Sequence, residues 1–299
     1  MKLENLKFNI DTKLVLNIGF PIDKTNAPIV YNKIFELHDM NALMLPVSIK
    51  KGELKSLFNA CKTLGIQYLC PTMPHKADII EFLDEVDENS RLFRSVNAVK
   101  FTEDGHSCGV GMDGKGAIQA LLDIETKFQG ATALMLGAGG ISGSVGYELS
   151  QQGVKKLIIA DFFEDKAIEK ADIFNKNTSM KTIPINSSPK ELDQAAAEAD
   201  IFIQATPLGM AGFEISHKYL GFIDKLPMSC AVLDAIINPP ETQVLKIARA
   251  RNLKTVPGMR MLVGQIALIF DFLFGVKVTD DDKDACIKEL NAFLTASNQ

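Results

Sequence analysis

A glycine-rich turn between two apolar segments constrains the fold of this chain more than any other feature. Residues 132–136 form an apolar run of the length of a buried parallel strand, and the sequence Gly-Ala-Gly-Gly follows it at 137–140. A helical pattern comes next, and a second apolar run, residues 156–160, ends at Asp161. This order, with an acid about twenty residues beyond the turn, is what a dinucleotide-binding βαβ unit requires. The sequence therefore predicts a Rossmann-type unit in which the helix N-terminus faces a pyrophosphate.

The motif departs from strict G-x-G-x-x-G at one position, because Ser142 stands where the third glycine is expected. Serine is still small enough for close helix–strand packing, and an ordinary glycine turn of an α/β protein is the alternative interpretation. Asp161 is expected to accept hydrogen bonds from the ribose hydroxyls and to repel a 2′-phosphate, which usually needs an arginine. Phe162 and Phe163 follow it, and Lys166 is the only cation nearby in sequence. The sequence thus favours NAD over NADP.

Composition excludes several classes of function. The chain has 299 residues, of which 46% are hydrophobic, enough for two domains with cores of their own. A formal net charge of -5 argues against a nucleic acid or an anionic membrane as partner. The five cysteines are scattered without CxxC spacing, which indicates reduced thiols. We expect no secretion signal, because the first residues lack a basic-plus-apolar pattern. We expect a cytoplasmic protein that acts on a small molecule and has no membrane partner. A homodimer is one of the assemblies that we expect.

Apolar periodicity divides the chain into three parts. Residues 1–114 alternate strand-like and helix-like segments, including a helix from 74 through 86, and end in a hairpin, which predicts a βαβ domain with a mainly parallel sheet. Residues 115–258 contain the glycine turn and further strand–helix units, which predicts the Rossmann dinucleotide-binding domain. Residues 259–299 read as two helices that return to the first domain. The expected fold class is two-domain α/β.

Several separated motifs match one family in the family's own order. They are Thr72-Met73-Pro74-His75-Lys76, Ser95-Val96-Asn97-Ala98, Met112-Asp113-Gly114, Gly137-Ala138-Gly139-Gly140, Ala205-Thr206-Pro207-Leu208-Gly209-Met210 and the segment from Gly258 to Gln265. With these motifs the chain resembles the shikimate dehydrogenases from Gly19 to Gln265. The family reversibly oxidises a secondary alcohol of a cyclohexene carboxylate with a nicotinamide cofactor, in the chorismate pathway of aromatic amino acid biosynthesis.

The resemblance implies a role for each matched residue. Lys76 and Asp113 correspond to the catalytic pair, in which a base accepts the hydroxyl proton and an acid orients it. Their structural alternatives are a solvated lysine in the first turn of a helix and an ordinary Asp-Gly turn. The expected substrate-binding residues are Lys24, Thr25, Thr72, Asn97 and Gln265. The expected cofactor-binding residues are Gly137, Ala138, Gly139, Gly140, Ile141, Asp161, Ala205, Thr206, Pro207, Met210 and Gly258, and no metal is expected.

The chain departs from the family pattern around the substrate carboxylate and the cofactor phosphate. Thr25 and Ala27 stand where the family has two serines, and Lys24 replaces a histidine. Asp161-Phe162-Phe163 aligns with the family's Asn-Arg-Thr phosphate clamp. These changes indicate a divergent branch that keeps the chemistry and alters the pocket. The sequence does not choose among four possible substrates: shikimate, quinate, an aminated relative, or another hydroxylated ring acid.

Two other functions compete with this interpretation. A non-catalytic, NAD-binding regulatory homologue would keep the fold, but it has no need for a base paired with an orienting acid. Another two-domain dehydrogenase, such as a methylenetetrahydrofolate enzyme, would not explain the loop at 205–210 or the closing motif.

Overall fold

The computed structural model describes residues 9–213 and 215–297, which form two compact units. One unit comprises the described residues up to Met112 together with those from Gln265 onward, and the other comprises Asp113–Gly264. The expected fold class is confirmed, since each unit has an α/β architecture with its own sheet. Among the described residues, none of the helices is long and apolar enough to cross a membrane.

The first unit is built on a six-stranded sheet in the order β2-β1-β3-β5-β6-β4. Its strands are β1 (Lys13–Gly19), β2 (Ala42–Ser48), β3 (Tyr68–Pro71), β4 (Glu85–Val86), β5 (Ala98–Phe101) and β6 (Ser107–Val110). Its first helices are α1 (Ala27–Leu37), α2 (Leu54–Leu64), α3 (His75–Asp78) and α4 (Glu88–Phe93). The pairs β1–β2, β1–β3 and β4–β6 are parallel, and β5 is antiparallel to both of its neighbours.

The helix expected from residue 74 through 86 is much shorter than predicted. It ends as α3 at Asp78, a 3-10 turn follows at Ile79–Phe82, and Leu83 adopts extended backbone with φ -90° and ψ 141°. Asp84 N then donates to the backbone oxygen of Ser107 at 3.1 Å. Because this partner lies 23 positions away, the bond that draws the segment into the sheet as β4 leaves no local signal in the sequence.

Two C-terminal helices, α10 (Gly258–Phe274) and α11 (Asp280–Ser297), contribute to the first unit, as predicted. The Phe270 ring lies 5.1 Å from the rings of both Tyr31 and Phe35, measured between centroids. The Phe274 ring lies 4.7 Å from that of Tyr68. These aromatic pairs bury the apolar face of α10 against α1 and β3.

The second unit has a fully parallel sheet in the order β12-β11-β10-β7-β8-β9. Its strands are β7 (Thr132–Leu136), β8 (Lys156–Asp161), β9 (Lys181–Asn186), β10 (Ile201–Gln204), β11 (Ala231–Asp234) and β12 (Lys254–Pro257), and its helices are α5 (Asp113–Leu122), α6 (Gly140–Gln151), α7 (Glu164–Asn177), α8 (Pro189–Ala197) and α9 (Gln243–Ala250). The strand order reverses at β7, between β10 and β8. In an open parallel sheet, ligands bind outside the carboxyl ends of the strands at such a switch point.

Candidate active site

In the first unit, two of the predicted substrate-binding residues lie beside β1 and β3. Thr25 bonds to Asn17 of β1, and Thr72 directly follows β3. Thr72 N donates to the oxygen of Ile18 at 2.8 Å, and a Cβ added to Gly19 would lie 2.6 Å from Thr72 Cγ2. Lys76 follows in α3, and its backbone oxygen accepts from Val96 N at 3.0 Å. The structure therefore brings the Thr72–Lys76 segment against β1 on one side and against the neighbour of Asn97 on the other.

Asn17 is a residue of this region that sequence reasoning missed. Its side chain is 3% exposed, its Nδ2 donates to Cys70 O at 2.8 Å, and its Oδ1 accepts from Thr25 Oγ1 at 2.7 Å. A polar residue inside the apolar run 14–18 was the available signal. Because the Thr25 hydroxyl proton is directed to Asn17, the Thr25 oxygen can serve any further partner only as an acceptor.

Two amides of the first unit differ in how their oxygens are used. Asn97 Oδ1 accepts from Met112 N at 3.0 Å, which ties this side chain to the residue that precedes Asp113. Gln265 Oε1 is buried and has no hydrogen-bond partner among the described residues. A buried acceptor without a partner is rare in folded proteins, because leaving it unpaired costs about 1–3 kcal/mol. A hydroxyl group of a bound ligand would satisfy it. Lys24, in contrast, is exposed.

In the second unit, the glycine turn leaves open space where a dinucleotide phosphate would lie. Gly137 has φ +110°, a conformation that favours glycine, and a Cβ there would lie 2.8 Å from Thr206 Cγ2. A Cβ added to Gly139 or to Gly140 would meet no atom within 4 Å. Helix α6 begins at Gly140 with no side-chain cap and no acidic residue in its first turn. Its N-terminal N–H groups are therefore suited to an anionic ligand, and the residues fit a dinucleotide diphosphate.

The carboxylate of Asp161 accepts a hydrogen bond from the backbone of the glycine turn. Its Oδ2 accepts from Ala138 N at 2.8 Å, and its Oδ1 accepts from Phe163 N at 2.8 Å. Both oxygens are thus engaged in bonds that hold the turn after β7 against the end of β8. The charge of Asp161 is partly compensated by these donors, which weakens the repulsion that we expected toward a 2′-phosphate.

Two exposed aromatic rings follow Asp161, and the ammonium group of a lysine lies over each of them. Phe162 and Phe163 are 70% and 59% exposed, and their centroids are 5.2 Å apart. Lys166 Nζ lies 4.8 Å from the centroid of Phe163, and Lys218 Nζ lies 5.3 Å from that of Phe162. The end of β8 therefore has two ammonium groups, of which the second comes from a distant part of the sequence.

The loop at 205–210, which follows β10, is organised by a fully buried glutamine. Gln204 Oε1 accepts from both the N and the Oγ1 of Thr206, at 2.7 and 2.8 Å. Its Nε2 donates to the oxygens of Thr206 and Leu208, at 3.0 and 3.3 Å. This residue was also missed, although an amide at the end of an apolar strand was a signal. It fixes the backbone of the predicted cofactor loop.

A buried carboxylate lies at the carboxyl end of β11. Asp234 is fully buried, and this burial raises the pKa of its carboxyl to about 6, although hydrogen bonds from Thr242 Oγ1 and Ile236 N act in the opposite direction. Gly258 lies against the same loop, since a Cβ there would be 2.4 Å from Ile236 O. Gly258 is therefore required for close backbone packing.

Asp113 begins α5 and is 4% exposed. The next residue, Gly114, packs so closely on α6 that an added Cβ would lie 2.2 Å from Ser144 O. This contact positions the first turn of α5 beside the helix that follows the glycine turn. Lys76 belongs to the first unit and Asp113 to the second, and their joint role stays a prediction.

Comparison with known proteins gives consistent matches along the chain. Residues 17–99 match a family model described as the shikimate dehydrogenase substrate binding domain. The chain is 36% identical over 265 residues, 88% of its length and 92% of the relative's, to the shikimate dehydrogenase (NADP(+)) of Alkaliphilus metalliredigens. It is 33% identical to the enzyme of the same name from Methanocaldococcus jannaschii, over 90% of this chain and 94% of that one. A crystal structure of a shikimate dehydrogenase in complex with NADP+ is 31% identical and superposes with a TM-score of 0.84, covering 95% of this chain and 97% of that one.

These relatives correct the cofactor prediction. The expectation that NAD is favoured over NADP is wrong, because the curated relatives are named for NADP(+). It rested on Asp161 as a free ribose acceptor and on Lys166 as a single cation. In the structure the carboxylate is engaged by Ala138 and Phe163, and Lys218 adds a second cation.

The match covers 88% of the chain, which is more than either unit alone contributes. The chain belongs to the shikimate dehydrogenase family.

Proposed function

We propose that this protein oxidises the secondary alcohol of shikimate, or of a closely related ring acid such as quinate, with NADP+ as hydride acceptor. The observation that carries the proposal is the 36% identity over 88% of the chain to a shikimate dehydrogenase (NADP(+)). Lys76, Asp113, Asn97 and Gln265 stand in the segments that resemble the family's motifs. In this proposal residues 1–114 supply the substrate-binding and catalytic groups, residues 115–258 bind the dinucleotide, and residues 259–299 complete the substrate domain.

Side chains of this protein would remove the proton of the substrate hydroxyl group. When bound, the nicotinamide supplies the hydride acceptor. Lys76 Nζ takes up the hydroxyl proton as the carbinol carbon is oxidised to a ketone, and the Asp113 carboxylate orients Lys76. A dry site favours the neutral amine of a lysine, the form that can act as a base.

The substrate would be held by amides and by one cation. Gln265 Oε1, buried and without a partner among the described residues, accepts a ring hydroxyl, and the Asn97 amide group donates to another. Thr25 and Thr72 line the carboxyl ends of β1 and β3. Lys24 provides the positive charge for the substrate carboxylate in place of the family's serine hydroxyls.

The cofactor would be held by the second unit. The N-terminal N–H groups of α6, including those of Gly140 and Ile141, face the diphosphate, and the loop of Ala205, Thr206, Pro207 and Met210 borders the nicotinamide side. We assign the 2′-phosphate to the ammonium groups of Lys166 and Lys218, which lie over the Phe163 and Phe162 rings.

Replacement of the base tests the proposal. Lys76→Met should lower kcat for shikimate oxidation about 10²- to 10⁴-fold, the range of general base catalysis, with NADPH binding unchanged in a fluorescence titration. Lys55→Met, at an exposed lysine of α2, is the matched control and should leave kcat unchanged. Full turnover in Lys76→Met would exclude this lysine as the base, and NADPH binding without turnover in the wild type would favour the non-catalytic homologue.

A further inference from the structure

A side-chain cluster in the first unit, outside every residue assigned above, contains three different metal-ligand types. The cluster consists of Glu85 of β4, His106 of the turn before β6, and Cys108 of β6, and their ligand atoms all lie within 4.8 Å of one another. Cys108 Sγ is 3.5 Å from Glu85 Oε2, and His106 Nε2 is 3.6 Å from Glu85 Oε1. We call these three residues the β4–β6 donor cluster.

Sheet geometry places two of the three side chains on one face. Glu85 is the register partner of Cys108 in the parallel β4–β6 pair, and partners in register project to the same side of a sheet. His106 lies in the turn that immediately precedes β6, and its Nε2 lies 3.6 Å from Glu85 Oε1. The backbone of the sheet edge therefore fixes the Glu85–Cys108 pair, and the turn brings the imidazole of His106 to it.

The observed separations suit a tetrahedral ion. Zinc binds thiolate sulfur at about 2.3 Å and imidazole nitrogen or carboxylate oxygen at about 2.0–2.2 Å, so adjacent ligands of a tetrahedral site lie about 3.3–3.8 Å apart. The separations from Glu85 to Cys108 and to His106, 3.5 and 3.6 Å, fall in this range, although they start from different oxygens of the Glu85 carboxylate. The third pair, Cys108 and His106, lies within 4.8 Å, so a small rotation of these side chains would bring it to a bound ion. Mixed sulfur, nitrogen and oxygen ligands are typical of Zn²⁺ or Co²⁺ and not of Mg²⁺ or Ca²⁺.

A neighbouring carboxylate is placed to orient the histidine. Asp84 Oδ2 lies 3.8 Å from His106 Nδ1, the ring nitrogen opposite the one that faces Glu85. The same oxygen accepts from Ser107 N and Ser107 Oγ at 2.8 and 2.7 Å, which holds the pKa of Asp84 below its usual range. A carboxylate beside the second nitrogen of a ligating histidine is the usual support of a metal site.

Accessibility distinguishes Cys108 from the other cysteines. All five cysteines lie in the described part of the chain, and the other four are buried, whereas Cys108 is half-buried. We propose that the β4–β6 donor cluster binds a divalent transition metal, Zn²⁺ or Co²⁺, through Glu85, His106 and Cys108, with water as the fourth ligand. The ion would join the two-residue edge strand β4 to β6.

Binding would release the proton of the Cys108 thiol. Burial, the hydrogen bond to Glu85 and the charge of Asp84 raise the pKa of Cys108, and Lys100, its register partner on β5, lowers it.

The test is a Co²⁺ titration of tag-free, chelator-treated full-length protein. One equivalent of Co²⁺ should give visible d–d bands and a near-ultraviolet thiolate-to-cobalt band, and one equivalent of Zn²⁺ should remove both. Cys108→Ser should lose the thiolate band, and His106→Gln and Glu85→Gln should each weaken Co²⁺ binding at least tenfold. His38→Gln is the matched control, because His38 faces a single carboxylate, Asp282, at 3.1 Å.

Each outcome decides the proposal. Absence of a thiolate band in the wild-type protein, or its persistence in Cys108→Ser, would overturn it. Equal loss of binding in His38→Gln would do the same. Circular dichroism of each variant shows that it is folded, and Zn²⁺ competition with a chromophoric chelator provides an affinity for the wild type that does not depend on any substitution.

Discussion

The stability of this protein should depend on pH through one buried carboxyl group, that of Asp234. The group is fully buried at the carboxyl end of β11, and burial raises its pKa from 3.8 to about 6. An unfolded chain leaves the group in water near its ordinary pKa. The folded state therefore binds the proton more tightly than the unfolded state does between about pH 4 and pH 6.

The sign and the size follow from proton linkage. Below pH 3.8 both states bind the proton, and the group does not change the free energy of unfolding. Between pH 3.8 and about 6 only the folded state keeps the proton, so the free energy of unfolding falls as the pH rises, and it levels off above about pH 6, where the buried carboxylate forms. The gap between 3.8 and about 6, at about 1.4 kcal/mol per unit of pH, corresponds to about 3 kcal/mol in total. About 1 kcal/mol of this is already lost at pH 4.5, which leaves about 2 kcal/mol between pH 4.5 and 7.5.

Asp234→Asn removes the titration while keeping the shape of the side chain. The asparagine oxygen can still accept from Ile236 N, and its amide group can donate to Thr242 Oγ1. Urea unfolding followed by circular dichroism at pH 4.5, 5.5, 6.5 and 7.5 measures the difference between variant and wild type. We expect this difference to shift by about 2 kcal/mol in favour of the variant across the range.

Asp172→Asn is the control, because this residue is exposed on α7 of the same unit and its replacement changes the net charge equally. A difference between Asp234→Asn and wild type that is constant with pH, or that shifts toward the wild type as the pH rises, would refute the linkage argument.

Three further substitutions test other parts of the account. Gly114→Ala should destabilise the protein by about 1–3 kcal/mol in thermal unfolding, because the new Cβ would lie 2.2 Å from Ser144 O; unchanged stability would contradict the close packing of α5 on α6. Lys24→Met should raise the KM for shikimate about fivefold with kcat unchanged, the effect of one exposed ion pair of about 1 kcal/mol, and an unchanged KM would rule Lys24 out. Lys166→Met should raise the KM for NADP+ with little effect on the KM for NAD+, and an equal effect on both KM values would contradict a contact between Lys166 and the 2′-phosphate. The control is Lys176→Met, at the other end of α7, which should change neither KM.

Local patterns predicted the architecture because the signals for it are local. The glycine turn, the apolar runs of β7 and β8 and the Asp-Gly step at the start of α5 each depend on neighbours within a few residues. The division into a substrate domain and a Rossmann domain, and the return of the last helices, could be inferred from their order alone.

What the sequence did not predict depends on contacts between distant residues. Strand β4 forms because Asp84 bonds to Ser107, and the helix expected across it ends early. Strand β12 was not predicted, because its four residues acquire a partner only through β11.

The cofactor prediction failed for the same reason. One of the two hydrogen bonds to Asp161 comes from Ala138 N, which lies 23 positions away in the glycine turn. Lys218 is 56 residues away from Phe162 in sequence, although its ammonium group lies over that ring. Asn17 and Gln204 could have been identified, since a polar residue in an apolar strand usually has a specific bonding role.

The central claim is that this chain oxidises shikimate with NADP+. The most direct measurement is a steady-state assay of purified protein with shikimate and with quinate, each with NADP+ and with NAD+, following the absorbance of the reduced nicotinamide. We expect turnover of shikimate with NADP+, and a lower kcat/KM with quinate. A protein that binds NADPH and yet reduces neither cofactor with either acid would contradict the claim.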